Sequence, residues 1–94
     1  DEPALISWFQ EMEFPTFGSD TFSAEQSFSS VSGLVIPLHG ALMRNLGIPF
    51  TELLWLEDLA ADCAADGQYD FQYVCSPLKV HGGTGSPVNP LAIK

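Results

Sequence analysis

Basic residues are scarce in this chain: Arg44, Lys79 and Lys94 stand against twelve acids, a formal charge of −9 over 94 residues. That deficit argues against binding to nucleic acid or to an anionic membrane surface, both of which need a basic footprint. Cysteine is as rare. Cys63 and Cys75 are too few to staple a miniprotein. A disulfide between them is conceivable, but one sits at an apolar helix position and the other at a strand position, which suits free buried thiols better. Apolar runs approaching the roughly 18 residues of a membrane span are missing, and so is a signal-peptide pattern. A cytoplasmic location is the expectation, although a leader already removed would leave the same sequence.

Aliphatic and aromatic residues are plentiful, at 46% of the chain, which argues for a packed core over disorder. The length suits one small domain or part of a larger one, with a modest buried fraction. The chain opens at Asp1 without an initiator methionine, the pattern of a processed chain or a fragment.

Ala4, Leu5, Trp8, Phe9 and Met12 recur on one helical face and predict a helix over 4–12. Pro3 suits its first turn, Asp1 and Glu2 suit its exposed amides, and Pro15 bars its continuation. A short edge strand is expected over 14–18, then a loop in which Asp20 can accept backbone hydrogen bonds or, just beyond the strand end, serve as a functional carboxylate. Residues 21–35 are rich in serine and irregular, with Phe22 and Phe28 set among them. A loop of that length is a lid, a binding loop or a subunit contact, or it is anchored on the core by those two rings. Leu38, Leu42, Met43 and Leu46 predict a short helix closed by Gly47. Gly40 weakens it by roughly 1 kcal/mol and points to close approach of another backbone or a ligand.

Beyond it, an extended segment is expected over 48–56. A helix follows over 57–65, ended by Asp66-Gly67. Tyr69, Phe71, Tyr73 and Cys75 alternate with more polar positions and predict a strand over 69–75. A further strand at 78–80, a glycine-rich loop and a last strand at 91–93 complete the chain. This is the order of a mixed α/β protein with antiparallel elements toward its C-terminal end.

The rare chemical side chains gather in PLHGALMRNLGIPFTE, residues 37–52. His39 can bind Mn²⁺ or Zn²⁺ or move a proton. Glu52 lies among apolar neighbours, where a carboxylate needs a partner, a metal or water, and it can act as a base. A structural role accounts for either residue as well. Their separation matches no compact motif such as HExxH, and two ligands fall short of the three that a catalytic metal takes from protein. Arg44 suits an acidic partner, the end of its helix or an anionic substrate group. His81 belongs to an exposed loop. The nearby GGTGSP lacks a Walker lysine and leads to a proline and a strand, so it is no phosphate loop; its glycines serve tight turns. No nucleophile elbow is present, and nothing marks either cysteine as a nucleophile.

Taken together, FGSDT, PLHGALMRNLGIPFTE and SPLKVHGGTGSPVNPLAI resemble the cyclase family of metal-dependent hydrolases, which includes bacterial-type kynurenine formamidase and isatin hydrolase. The first segment is similar to the family's strand with Gly-x-Asp-Thr. The second is similar to its late histidine, glycine–isoleucine–proline and glutamate, and the third to its C-terminal signature. The resemblance implies an α/β fold around a barrel-like sheet. This chain would form a partial, swivelling β/α/β portion with a mixed, largely antiparallel sheet and short helices. It also implies Mn²⁺ or Zn²⁺ and the opening of an amide, cyclic amide or related ester or lactone bond by metal-activated water. His39 and Glu52 match the family's late histidine and glutamate, which are metal ligands or acid–base groups, and Gly47, Ile48 and Pro49 match the connection between them.

The span from His39 to Glu52 is one residue longer than usual in the family, which implies a distorted helix turn. Asn89 stands where arginine is common, so an anion contact there is not implied. The family's early His-x-Gly-Thr-His-x-Asp motif, which supplies the primary ligands, is absent from this sequence. Residues 1–94 therefore resemble the C-terminal portion of such a domain, incomplete and inactive alone. A complementing N-terminal segment or second chain, in a homo-oligomer or hetero-assembly, would supply the remaining ligands and act on a small amide-type substrate. Two other readings stand beside this one: a non-catalytic α/β binding or assembly module that uses the Phe22/Phe28 loop, and a family member that keeps the fold without hydrolysis.

Overall fold

The structure, a computed structural model, describes residues 2–94. Its elements are α1 (Glu2–Glu11), β1 (Phe17–Gly18), a π-helix (His39–Asn45), β2 (Phe50–Thr51), α2 (Glu57–Asp66), β3 (Gln72–Val74) and β4 (Leu91–Ile93). This is a small α/β fold with short helices, one parallel strand pair and one antiparallel pair. The elements fall into two units, one running to Trp55 and the other from Leu56 to Lys94.

The first unit holds the core. Leu42 is its most deeply buried side chain, packed with Phe9, Leu38 and Ile48 and ringed by Ile6, Phe14, Phe17, Leu46 and Phe50. On α1 the inward stripe is narrower than its sequence pattern suggests. Ile6 and Phe9, three residues apart, face the core, while Leu5, Trp8 and Met12 are exposed. Trp8 still packs edge-on against Phe9 and Phe14. Asp1, expected beside Glu2 at the helix start, lies outside the described residues.

β1 and β2 run parallel, with Phe17 opposite Phe50 and Gly18 opposite Thr51. The pairing is extended by Phe17 N–H to Pro49 O (3.1 Å) and Ser19 N–H to Thr51 O (3.0 Å). The extended segment expected over 48–56 is cut short, because Leu53 takes a left-handed conformation (φ 57°). That turn carries the Leu53 and Leu54 amides to Thr21 O and Ser19 O. Asp20 is exposed, and the loop around it is tied instead by the Ser19 and Thr21 hydroxyls, 3.1 Å apart.

The helix between the strands is wound wide. Its closing amide, Leu46 N–H, reaches back five residues to Ala41 O, the hydrogen-bond pattern of a π-helix. Gly47 follows at φ 73°, and Ile48 N–H returns to Leu42 O at 3.0 Å. Residues 21–35, expected to be irregular, are instead partly ordered around Ser29. Its buried hydroxyl accepts the amides of Val31 (3.1 Å) and Ser32 (2.9 Å), and Phe28 pairs with Val35 in an antiparallel bridge. Phe22 and Phe28 are both exposed, so neither ring anchors the loop.

In the second unit α2 ends on Gly67 in the left-handed region, its N–H bonded to Cys63 O. β3 and β4 pair antiparallel with Gln72 opposite Ile93 and Val74 opposite Leu91, and every residue of both strands is exposed. Residues 78–80 do not form the expected strand. Val80 N–H bonds Leu78 O and Gly83 N–H bonds Val80 O, turning the chain. Cys63 is buried, Cys75 partly so, and both thiols are free. Lys94 Nζ lies 2.7 Å from Asp62 and 2.8 Å from Asp66, one turn apart on α2. Hydrogen bonds from Lys94 and then from the Gln68 amide hold the Asp66 carboxyl below its ordinary value. Bonds to Asp62 and Asp66 raise the Lys94 ammonium above its own.

Candidate functional site

His39 opens the π-helix and Glu52 follows directly after β2. Folding brings them together: His39 Nε2 lies 3.6 Å from Glu52 Oε1. The pairing depends on the core. Leu42 anchors the helix from which His39 projects, and the β1–β2 pairing holds the chain that leads to Glu52. The His39 ring meets Phe50 edge-on, centroids 4.8 Å apart. Phe50 packs in turn on Phe17 and Phe17 on Phe9. A run of rings thus ties the imidazole back to α1.

Both side chains are partly open to solvent, at 21% for His39 and 27% for Glu52. Glu52 Oε1 also accepts the Ala24 amide at 2.9 Å, which satisfies part of a carboxylate set among apolar neighbours. At Ala24 the loop after β1 therefore reaches the site through its backbone, and neither Phe22 nor Phe28 is part of that contact.

Sequence reasoning missed Glu25. Its side chain is only 5% exposed. Oε2 accepts Leu38 N–H at 2.7 Å, and Oε1 accepts His39 N–H at 2.8 Å. Oε1 also lies 2.7 Å from His39 Nδ1. The signal was faint: a lone acid in a serine-rich loop, fourteen positions from the histidine it meets.

The remaining candidates lie elsewhere. Arg44 bonds its neighbour Asn45 Oδ1 at 3.1 Å and makes no ion pair among the described residues. It lines a cleft of about 420 Å³ with Ile6, Val35, Ile36, Gly40 and Ala41. Neither His39 nor Glu52 borders that cleft. Gly40 has open space where a Cβ would stand, so the close backbone approach expected at this glycine does not occur. His81 and Asn89 are exposed in the second unit. Among the described residues no group of three His, Cys, Asp or Glu side chains is placed to hold a metal ion.

Among solved structures, this chain is similar to one described as a novel cyclase, with 38% identity over 95% of its residues and a TM-score of 0.82. The chain is homologous to that cyclase. It spans 28% of the cyclase's own length. No protein-family model and no curated protein matches it.

Proposed function

We propose that this chain is the C-terminal portion of a cyclase-family metal-dependent hydrolase. It would contribute His39 and Glu52 to a site that opens an amide, cyclic amide or related ester or lactone bond. The observation that carries the reading is the approach of His39 Nε2 to Glu52 Oε1 at 3.6 Å, in a chain homologous to a cyclase.

An imidazole nitrogen and a carboxylate oxygen 3.6 Å apart fit Mn²⁺ or Zn²⁺ by donor chemistry. They are two donors where a catalytic ion takes at least three, so the primary ligands come from a complementing segment or second chain. The ion, when bound, supplies a Lewis acid for the carbonyl and lowers the pKa of water. The chain's own groups do the rest. His39 Nε2 holds a ligand position or passes a proton. Glu52, steadied by the Ala24 amide, does the same from the opposite flank. The Phe50 ring keeps the imidazole in place and shields one of its edges. The products would be a carboxylate with an amine from an amide or an alcohol from an ester, or a ring-opened acid from a cyclic amide or lactone.

The test is made on the completed assembly, supplied with Mn²⁺ or Zn²⁺ and a panel of amides, cyclic amides, esters and lactones. Glu52→Ala and His39→Ala should each lower bound metal and turnover by about tenfold or more, since a lost ligand weakens the site at least as much as a lost supporting residue. Metal content and hydrolysis unchanged in both variants would overturn the reading. A chelator should abolish activity, and the added ion should restore it.

A further inference from the structure

The carboxylate of Glu25 meets three nitrogens at the head of the π-helix, and two of them leave no choice of direction. Backbone amides can only donate, so Leu38 N–H and His39 N–H fix both Glu25 oxygens as acceptors. The third nitrogen, His39 Nδ1, faces Oε1 at 2.7 Å. Facing an acceptor at that distance, Nδ1 must carry hydrogen. A neutral imidazole with hydrogen on Nδ1 has its lone pair on Nε2, and Nε2 is the nitrogen that faces Glu52. The 3.6 Å gap to Glu52 Oε1 is too long for a hydrogen bond, so that lone pair is not engaged there.

We infer that Glu25 is the positioning residue of this site, fixing His39 as the Nδ1–H tautomer so that Nε2 presents an open lone pair beside Glu52. This role rests on the hydrolase reading above and extends it to a residue outside the reacting pair. Free histidine favours hydrogen on Nε2, the form in which Nε2 can neither bind a cation nor accept a proton. Glu25 reverses that preference before anything binds. It also pins the ring through the backbone, because the oxygen that meets Nδ1 holds the amide of the same residue. The burial of Glu25 strengthens these bonds by keeping water from competing for them.

The experiment is long-range ¹H–¹⁵N NMR of the histidine rings in the ¹⁵N-labelled chain, in alkaline buffer without metal, with exposed His81 as internal reference. His39 should show a pyrrole-type Nδ1 and a pyridine-type Nε2, the reverse of His81. In Glu25→Gln the amide NH₂ replaces one acceptor oxygen. The His39 tautomer ratio should then move toward that of His81 by about fivefold or more, and Glu25→Asp should restore part of the difference. Hydrogen on Nε2 of His39 in the unaltered chain would overturn the inference. So would an unchanged ratio in Glu25→Gln accompanied only by faster exchange of the Leu38 and His39 amides, the mark of a purely structural helix cap. If Glu25→Gln does not fold, the spectrum of the unaltered chain still decides. An Nδ1–H tautomer in a completed assembly that hydrolyses nothing would sink the hydrolase reading while leaving the hydrogen-bond assignment intact.

Discussion

The two units of this chain are held by different forces. In the first, Phe9, Leu38, Leu42 and Ile48 are removed from water and surrounded by further apolar side chains. In the second, Cys63 is the only buried apolar residue among those described. There the paired strands are exposed on both faces, and the ties are a helix cap and a lysine held between two aspartates. The difference shows where a site can be built. A histidine and two glutamates from three segments are brought together where the packing is dense, because geometry between distant residues needs a rigid support. The second unit's ties are local or exposed to solvent, and they support no comparable cluster.

The contrast is most open to attack at Leu42. Leu42→Ala should lower stability by about 2–5 kcal/mol, the usual loss on emptying a close-packed site, read as a drop in the thermal midpoint. It should also separate His39 from Glu52, because the π-helix loses its anchor. A loss no greater than that of a surface substitution would break the comparison. In the second unit the largest single-residue effect should come from Gly67→Ala. The left-handed backbone at φ 72° makes a β-carbon unfavourable by about 1–2 kcal/mol, visible in helical circular dichroism. A loss larger than that of Leu42→Ala would reverse the ranking of the two units.

The smallest effect belongs to Lys94. Because Asp66 has a lowered pKa, its share of stability is present above the ordinary value of 3.8 and is lost as pH falls through the lowered one. Because Lys94 has a raised pKa, its share is complete below the ordinary 10.5 and is lost as pH rises through the raised value. The ion-pair contribution should therefore be flat between those limits and fall away outside them. Lys94→Met should remove it. Exposed pairs are weak and screened, so salt at about 1 M should erase most of the difference in unfolding midpoint between this variant and the unaltered chain. A difference that survives in high salt would show packing, not charge, at this contact.

Several elements were legible before folding because their determinants are local. The acids at Glu57 and Asp58 and the glycine at position 67 bracket α2 almost where it forms. The helix near the N-terminus follows from the spacing of its apolar residues, and a strand forms at 91–93 where one was expected. Alternation over 69–75 promised a longer strand than β3, but a strand extends only as far as its partner, and β4 offers three residues. His39 and Glu52 stood out as rare polar groups among apolar residues, and folding places them 3.6 Å apart.

By itself the sequence determined composition, charge, the apolar periods of the helices and the identity of the two candidate groups at positions 39 and 52. Composition and charge need no arrangement at all, and the apolar periods depend on residues within a turn or two of one another. Only the tertiary structure decided three further things: the wide winding of His39–Asn45, the side of α1 that meets the core, and the contact of Glu25 with Leu38 and His39. Each depends on which distant groups share space. An acid fourteen residues from a histidine has no local pattern to announce it, and only the folded chain brings the two within hydrogen-bonding distance.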